Sequence, residues 1–140
     1  MKLLLAFLLL SHLLAAPACA QRSGIKGQVY LISKGDGSTP APYQGVPLEL
    51  FVYPMISSAE VDMEDDAITK IYGQPVERIF SDWNGSFKVK LKPGSYSIFA
   101  RYKNRFYGNL IDSNGNLSPA IVAEKTYAWT TITIGYQPFH

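Results

Sequence analysis

The chain is poor in the residues that most often carry proton transfer and metal binding. Among its 140 residues there is one cysteine, Cys19, and two histidines, His12 and His140. A single thiol excludes an internal disulfide, and no Cys/His set is left for a zinc site. Charge is sparse and nearly balanced, with thirteen Lys and Arg against eleven Asp and Glu. No basic tract or arginine cluster offers the phosphate neutralisation that nucleic-acid binding requires, so nucleic acid is not an expected partner. Long apolar runs are missing after residue 20, and with them any transmembrane span in the mature chain.

The one apolar run stands at the start. Lys2 precedes Leu3 to Leu14, broken only by Ser11 and His12, and Ala18-Cys19-Ala20 stands before Gln21. That order predicts a signal peptide over residues 1–20 and a mature chain over 21–140. Cleavage before Cys19 is the alternative, leaving a lipid anchor on that cysteine in the bacterial envelope. Ala16-Pro17-Ala18 lacks the larger aliphatic residue usual three places upstream, which favours a soluble product. The expected setting is the periplasm or the extracellular space. The mature segment has the length of one ordinary domain.

From Gly24 onward, short runs rich in Tyr, Phe, Val, Ile and Thr alternate with Gly, Pro, Asn and Ser. That is strand and turn punctuation, and no extended 3.6-residue apolar period competes with it. Ile25, Val29 and Leu31 share one face of a first run with Gly27, and Leu48, Leu50 and Val52 share one face of a second. Phe87, Val89 and Leu91 alternate with Lys88, Lys90 and Lys92, then Tyr96, Ile98 and Ala100 point inward, and Thr130, Ile132 and Ile134 close the series. Residues 33–44 read as a Gly/Pro-rich loop. Residues 55–73 are the least legible part: five acids between Glu60 and Asp66 argue for a solvated loop or short surface helix, with a brief strand over 67–72. Asp82 and Gly85 form one turn, the carboxylate accepting from the amide two residues on. Pro93 and Gly94 have the order of a type II turn, making a hairpin or a corner between sheets. Seven to eight strands of this kind predict an all-β sandwich, because a single open sheet leaves an apolar face uncovered.

Several of these segments carry a resemblance. Gly27-Gln28-Val29, Gly45-Val46-Pro47-Leu48, Ser81-Asp82-Trp83-Asn84-Gly85-Ser86-Phe87 and Leu91-Lys92-Pro93-Gly94-Ser95-Tyr96 resemble the carboxypeptidase regulatory-like (transthyretin-like, prealbumin-like) domains. The resemblance spans nearly all of residues 24–134, with Glu124 standing where that family's last turn commonly has Gly. It implies a seven- to eight-stranded Greek-key β-sandwich and a stand-alone exported bacterial member with no attached catalytic domain. The transthyretin-like hydroxyisourate hydrolases use histidines and a C-terminal tyrosine-containing motif. This chain has no internal histidine in its mature part, and Tyr136-Gln137-Pro138 does not reproduce that ending.

The remaining chemistry is thin. A terminal imidazole at His140 lacks the fixed geometry that proton transfer needs, and no Gly-x-Ser-x-Gly elbow accompanies the serines. No catalytic residue and no cofactor is expected. Calcium is the only metal with candidate ligands, in two oxygen-rich series: Asp112, Asn114 and Asn116, and Asp62, Glu64 and Asp66. A surface turn and a solvated acidic loop explain the same residues. The candidate interaction surface is aromatic: Trp83, Tyr102, Phe106, Tyr107, Tyr127 and Trp129. Adjacent Phe106 and Tyr107 cannot share one strand face, so one of them is expected to point outward or toward a loop. The sequence therefore predicts a non-enzymatic exported module that binds an envelope protein or a glycan. A purely structural spacer and an unrecognised hydrolase are the alternatives.

Overall fold

A computed structural model describes residues 22–32 and 43–135. The expectations for residues 1–20, for Cys19, for most of the 33–44 loop and for His140 fall outside the described residues. Thirteen strand segments are present: β1 (Gly24–Ile32), β2 (Tyr43–Gly45), β3 (Glu49–Pro54), β4 (Ile56–Ser57), β5 (Val61–Glu64), β6 (Ala67–Ile71), β7 (Glu77–Phe80), β8 (Ser86–Lys90), β9 (Gly94–Tyr102), β10 (Arg105–Tyr107), β11 (Asn116–Leu117), β12 (Pro119–Val122) and β13 (Tyr127–Ile134). No helix among the described residues is long and apolar enough to cross a membrane.

Two main sheets pack on each other. The small sheet is centred on β1, which pairs in parallel with β13 on one side. On the other side it pairs antiparallel with β8 and then with β2, which share that edge. The large sheet runs β5-β6-β10-β9-β3-β7, with β12 also paired to β9. Between the sheets lie Ile25, Val29, Leu50, Val52, Phe87, Val89, Ile98, Ala100, Ile132 and Ile134, all buried. These are the alternating positions of the sequence, and their burial is what holds the layers together.

A second apolar cluster lies on the outer face of the large sheet. Phe51 and Tyr53 of β3 and Phe99 of β9 point away from the sandwich interior yet are buried by Ile56, Ile68, Ile71 and Leu117. The brief strand expected over 67–72 is present as β6, whereas the acidic stretch before it, expected as a solvated loop or surface helix, folds as β4, a single 3-10 turn over Ser58–Glu60, and β5, which pairs with β6 as a hairpin. Their acids face water while Ile56, Ile68 and Ile71 cover the sheet. The short segments β2, β4, β5 and β11 take the number beyond the seven or eight expected.

The corner between β8 and β9 also differs in detail. These two strands belong to different sheets, so the segment is a corner between sheets and not a hairpin. Gly94 does not adopt positive φ, so the type II turn expected at Pro93-Gly94 is not formed. Gly94 already begins β9, and the Tyr96 hydroxyl donates to the Lys92 carbonyl at 2.6 Å, closing the corner with a side chain.

Candidate functional site

Two turns frame the exposed surfaces, and both rest on an aspartate. At the first, Asp82 Oδ1 accepts from the amides of Asn84 (3.2 Å) and Ser86 (2.9 Å), and Gly85 takes φ +86°. At the second, Asp112 Oδ1 accepts from the amides of Asn114 and Asn116, each at 2.9 Å, and Gly115 takes φ +78°. The backbone bonds repeat as well: Gly85 donates to the Asp82 carbonyl and Gly115 to the Asp112 carbonyl. Asp-x-Asn-Gly at 82–85 and 112–115 is thus one turn used twice. Its recurrence is legible in the sequence, and it is the signal that the calcium reading passed over.

The calcium candidates are consequently engaged elsewhere. Asp112 Oδ2 accepts a further bond from Asn116 Nδ2 at 3.0 Å. Hydrogen bonds from the Asn116 amide and the Asn116 side chain, and more weakly from the Asn114 amide, hold the Asp112 carboxyl below its usual range against the opposing effect of burial. Asp62 accepts from the Tyr72 hydroxyl at 2.7 Å. Glu64 and Asp66 are exposed at the β5–β6 turn, where Asp65 and Asp66 both have positive φ. Among the described residues no group of three or more His, Cys, Asp or Glu is placed to hold a metal ion.

The six aromatic candidates separate into three places. Tyr102, Phe106 and Tyr107 line an open groove of about 1230 Å³, beside Lys103 and Arg105. Phe106 packs against the outer cluster, 5.5 Å from Phe51 between ring centroids, and Tyr107 packs against the inner one. Adjacent aromatics are both half-buried because both faces of β10 are covered. Trp83 stands alone on the first aspartate turn, 83% exposed.

Tyr127 and Trp129 lie together on the outer face of the small sheet. Strand register sets their neighbours: Tyr127, Gly24 and Lys90 form one row, Trp129, Lys26 and Lys88 the next, and Thr131, Gln28 and Ser86 the third. The Lys88 ammonium sits 4.4 Å above the Tyr127 ring. It reaches that ring across Gly24, where a Cβ would collide with Tyr127 and the Val89 carbonyl. Trp129 is 64% exposed, and its indole Nε1 donates to Thr131 Oγ1 at 3.1 Å. Ser86 donates to Gln28 Oε1 at 2.9 Å, and Gln28 donates on to the Asn84 carbonyl, tying the face to the first aspartate turn. Compared with family models, with curated proteins and with solved structures, the chain gives no match.

Proposed function

We propose that the chain is an exported, non-enzymatic β-sandwich module that binds an envelope protein or a glycan, and that the outer face of the small sheet is its binding surface. The observation that carries this reading is the exposed Trp129, set beside half-buried Tyr127 and beside Lys26, Lys88 and Lys90 on the outer face of the four-stranded sheet. Aromatic rings kept at the surface are favoured where one side of the ring meets a partner and the other meets protein. Exposed aromatic area of this kind has no role in the core, which is complete without it. The motifs at 27–29, 45–48, 81–87 and 91–96 support a carboxypeptidase regulatory-like domain of Greek-key topology as the finer description. The apolar start of the chain supports export.

The test is photocrosslinking in the native envelope, with the probe at Thr131 in one strain and at Glu64, on the opposite side, in the other. Covalent capture of one protein or saccharide from Thr131 and not from Glu64 is expected. Capture of nothing from Thr131, or the same material from both, overturns the proposal.

A further inference from the structure

Resting on that reading of the small-sheet face, the geometry points to an acidic polysaccharide as its ligand. Lys26 and Lys88 are directly opposite each other in the antiparallel β1–β8 pair, with Lys90 one row away. Like charges in that position repel and cost stability. The Lys88 ammonium leans over the Tyr127 ring, but no carboxylate neutralises the pair: the outward residues of β13, β1 and β8 include none, and the ion pair found among the described residues is Arg78 with Glu49, on the large sheet. A third basic residue added to an uncompensated pair is a poor arrangement for solubility alone, where mixed signs serve better.

The acids are gathered on the other side of the molecule. Glu60, Asp62, Glu64, Asp65 and Asp66 ride on the layer that covers the large sheet. Lys70, Arg78, Arg101, Lys103 and Arg105 share the large-sheet side with those acids, whereas the outward face of the small sheet carries lysines and no carboxylate, which favours an anion there. The same face supplies what a sugar ring needs beside a charge. Trp129 offers an exposed indole fixed by its bond to Thr131, and Gln28, Ser86 and Thr131 line the adjoining row with amide and hydroxyl groups. Rows lie about 7 Å apart along a strand and strands about 4.8 Å apart, so indole, ammonium groups and hydroxyls all fall within a few sugar units. A membrane surface is a poorer fit, because the exposed indole is bonded along its own strand to Thr131.

The experiment uses the mature chain in affinity electrophoresis through gels containing polygalacturonate, dextran or polyglutamate, with salt varied in each. Retardation by polygalacturonate that weakens with salt, without retardation by dextran, is expected. The Lys26→Gln, Lys88→Gln double variant is expected to weaken binding roughly tenfold, since exposed charge contacts are worth a factor of a few each. Trp129→Ala is expected to weaken it as well, while Lys70→Gln on the opposite layer leaves it unchanged. Urea denaturation supplies a second readout: removing Lys26 is expected to raise the unfolding midpoint, because it relieves the repulsion. A midpoint that falls overturns the premise of uncompensated charge. Equal retardation by dextran overturns the acidic ligand but leaves the binding face standing, and polyglutamate binding that ignores Trp129→Ala replaces the saccharide with an acidic peptide. No retardation by polygalacturonate, together with protein capture at Thr131, also sinks this inference alone. Failure of both experiments sinks the face itself.

Discussion

Buried hydroxyls hold the loops of this molecule to its sheets. Ser81 is buried, accepts from the Leu48 amide at 2.8 Å and donates to the Val46 carbonyl at 2.8 Å, so it joins the start of β3 to the end of β7. Ser81→Ala leaves an amide and a carbonyl without that partner and should cost about 1–3 kcal/mol, read as a lower urea midpoint at unchanged slope. Gly27 acts by close approach instead: a Cβ there would run into the Thr130 carbonyl and the Phe87 ring, so β13 can lie against β1 only because no side chain intervenes. Asp112 makes stability depend on acid. Its carboxyl is held low by the Asn116 and Asn114 bonds, so its contribution is complete above the ordinary carboxylate range and is lost as pH falls through the lowered value. The Asn114 and Asn116 amide resonances should shift together in that acid window, and Asp112→Ala should abolish the transition. At this scale the sequence was legible where side chain and backbone are close in the chain, as at Asp82. The Tyr96 corner was not, because a hydroxyl closing onto Lys92 takes the place of the glycine conformation that Pro93-Gly94 suggests.

Strands β3 and β9 are buried on both faces, and the outer half of that burial comes from residues 55–73. Ser97 fixes this cover in place by accepting from the Ile56 amide at 2.9 Å. Ile68→Ala removes a buried side chain from over Phe51 and Phe99 and should destabilise by about 2–3 kcal/mol. Dye binding to the uncovered aromatics, with the small-sheet core intact, would mark the loss as local. The inner faces were legible from alternation alone: Leu50 and Val52, Ile98 and Ala100, Phe87 and Val89 all sit where period two puts them. Of the outer layer only the strand over 67–72 was legible, as β6, and not what it covers. Its apolar residues Ile56, Ile68 and Ile71 are scattered among five acids, and the aromatics they cover, Phe51, Tyr53 and Phe99, read as ordinary strand residues until a second layer is seen above them. The same hidden layer explains why Phe106 and Tyr107, on opposite faces of β10, are both half-buried.

At the scale of the whole molecule, the sequence revealed the sandwich but not the side on which each charge resides. Lys26, Lys88 and Glu64 are far apart in the chain, and it is the antiparallel register of β1 with β8 that brings the two lysines into one row. Tyr72 gives the acidic side its own signature. Its hydroxyl donates to Asp62, which raises its pKa above the ordinary value, with weaker contributions of the same sign from burial and from the Asp62 charge. A raised phenol pKa means the bond contributes at neutral pH and fails as pH climbs through the raised value. An alkaline titration of Tyr72 absorbance should show the shift, and Asp62→Asn should reduce it.

The parallel β1–β13 ladder carries a mechanical consequence. Its register runs from Gly24 opposite Tyr127 to Leu31 opposite Ile134, so residues 22 and 135 leave from opposite ends of the strand pair, about 25 Å apart. Tension between those two points slides one strand along the other and strains every rung together. A load between residues 22 and 92 instead opens the antiparallel β1–β8 pair from one end, rung by rung. Optical-trap pulling through the first pair of handles should demand several times the force of the second, making the domain a stiff link when stretched end to end and a weak one when peeled.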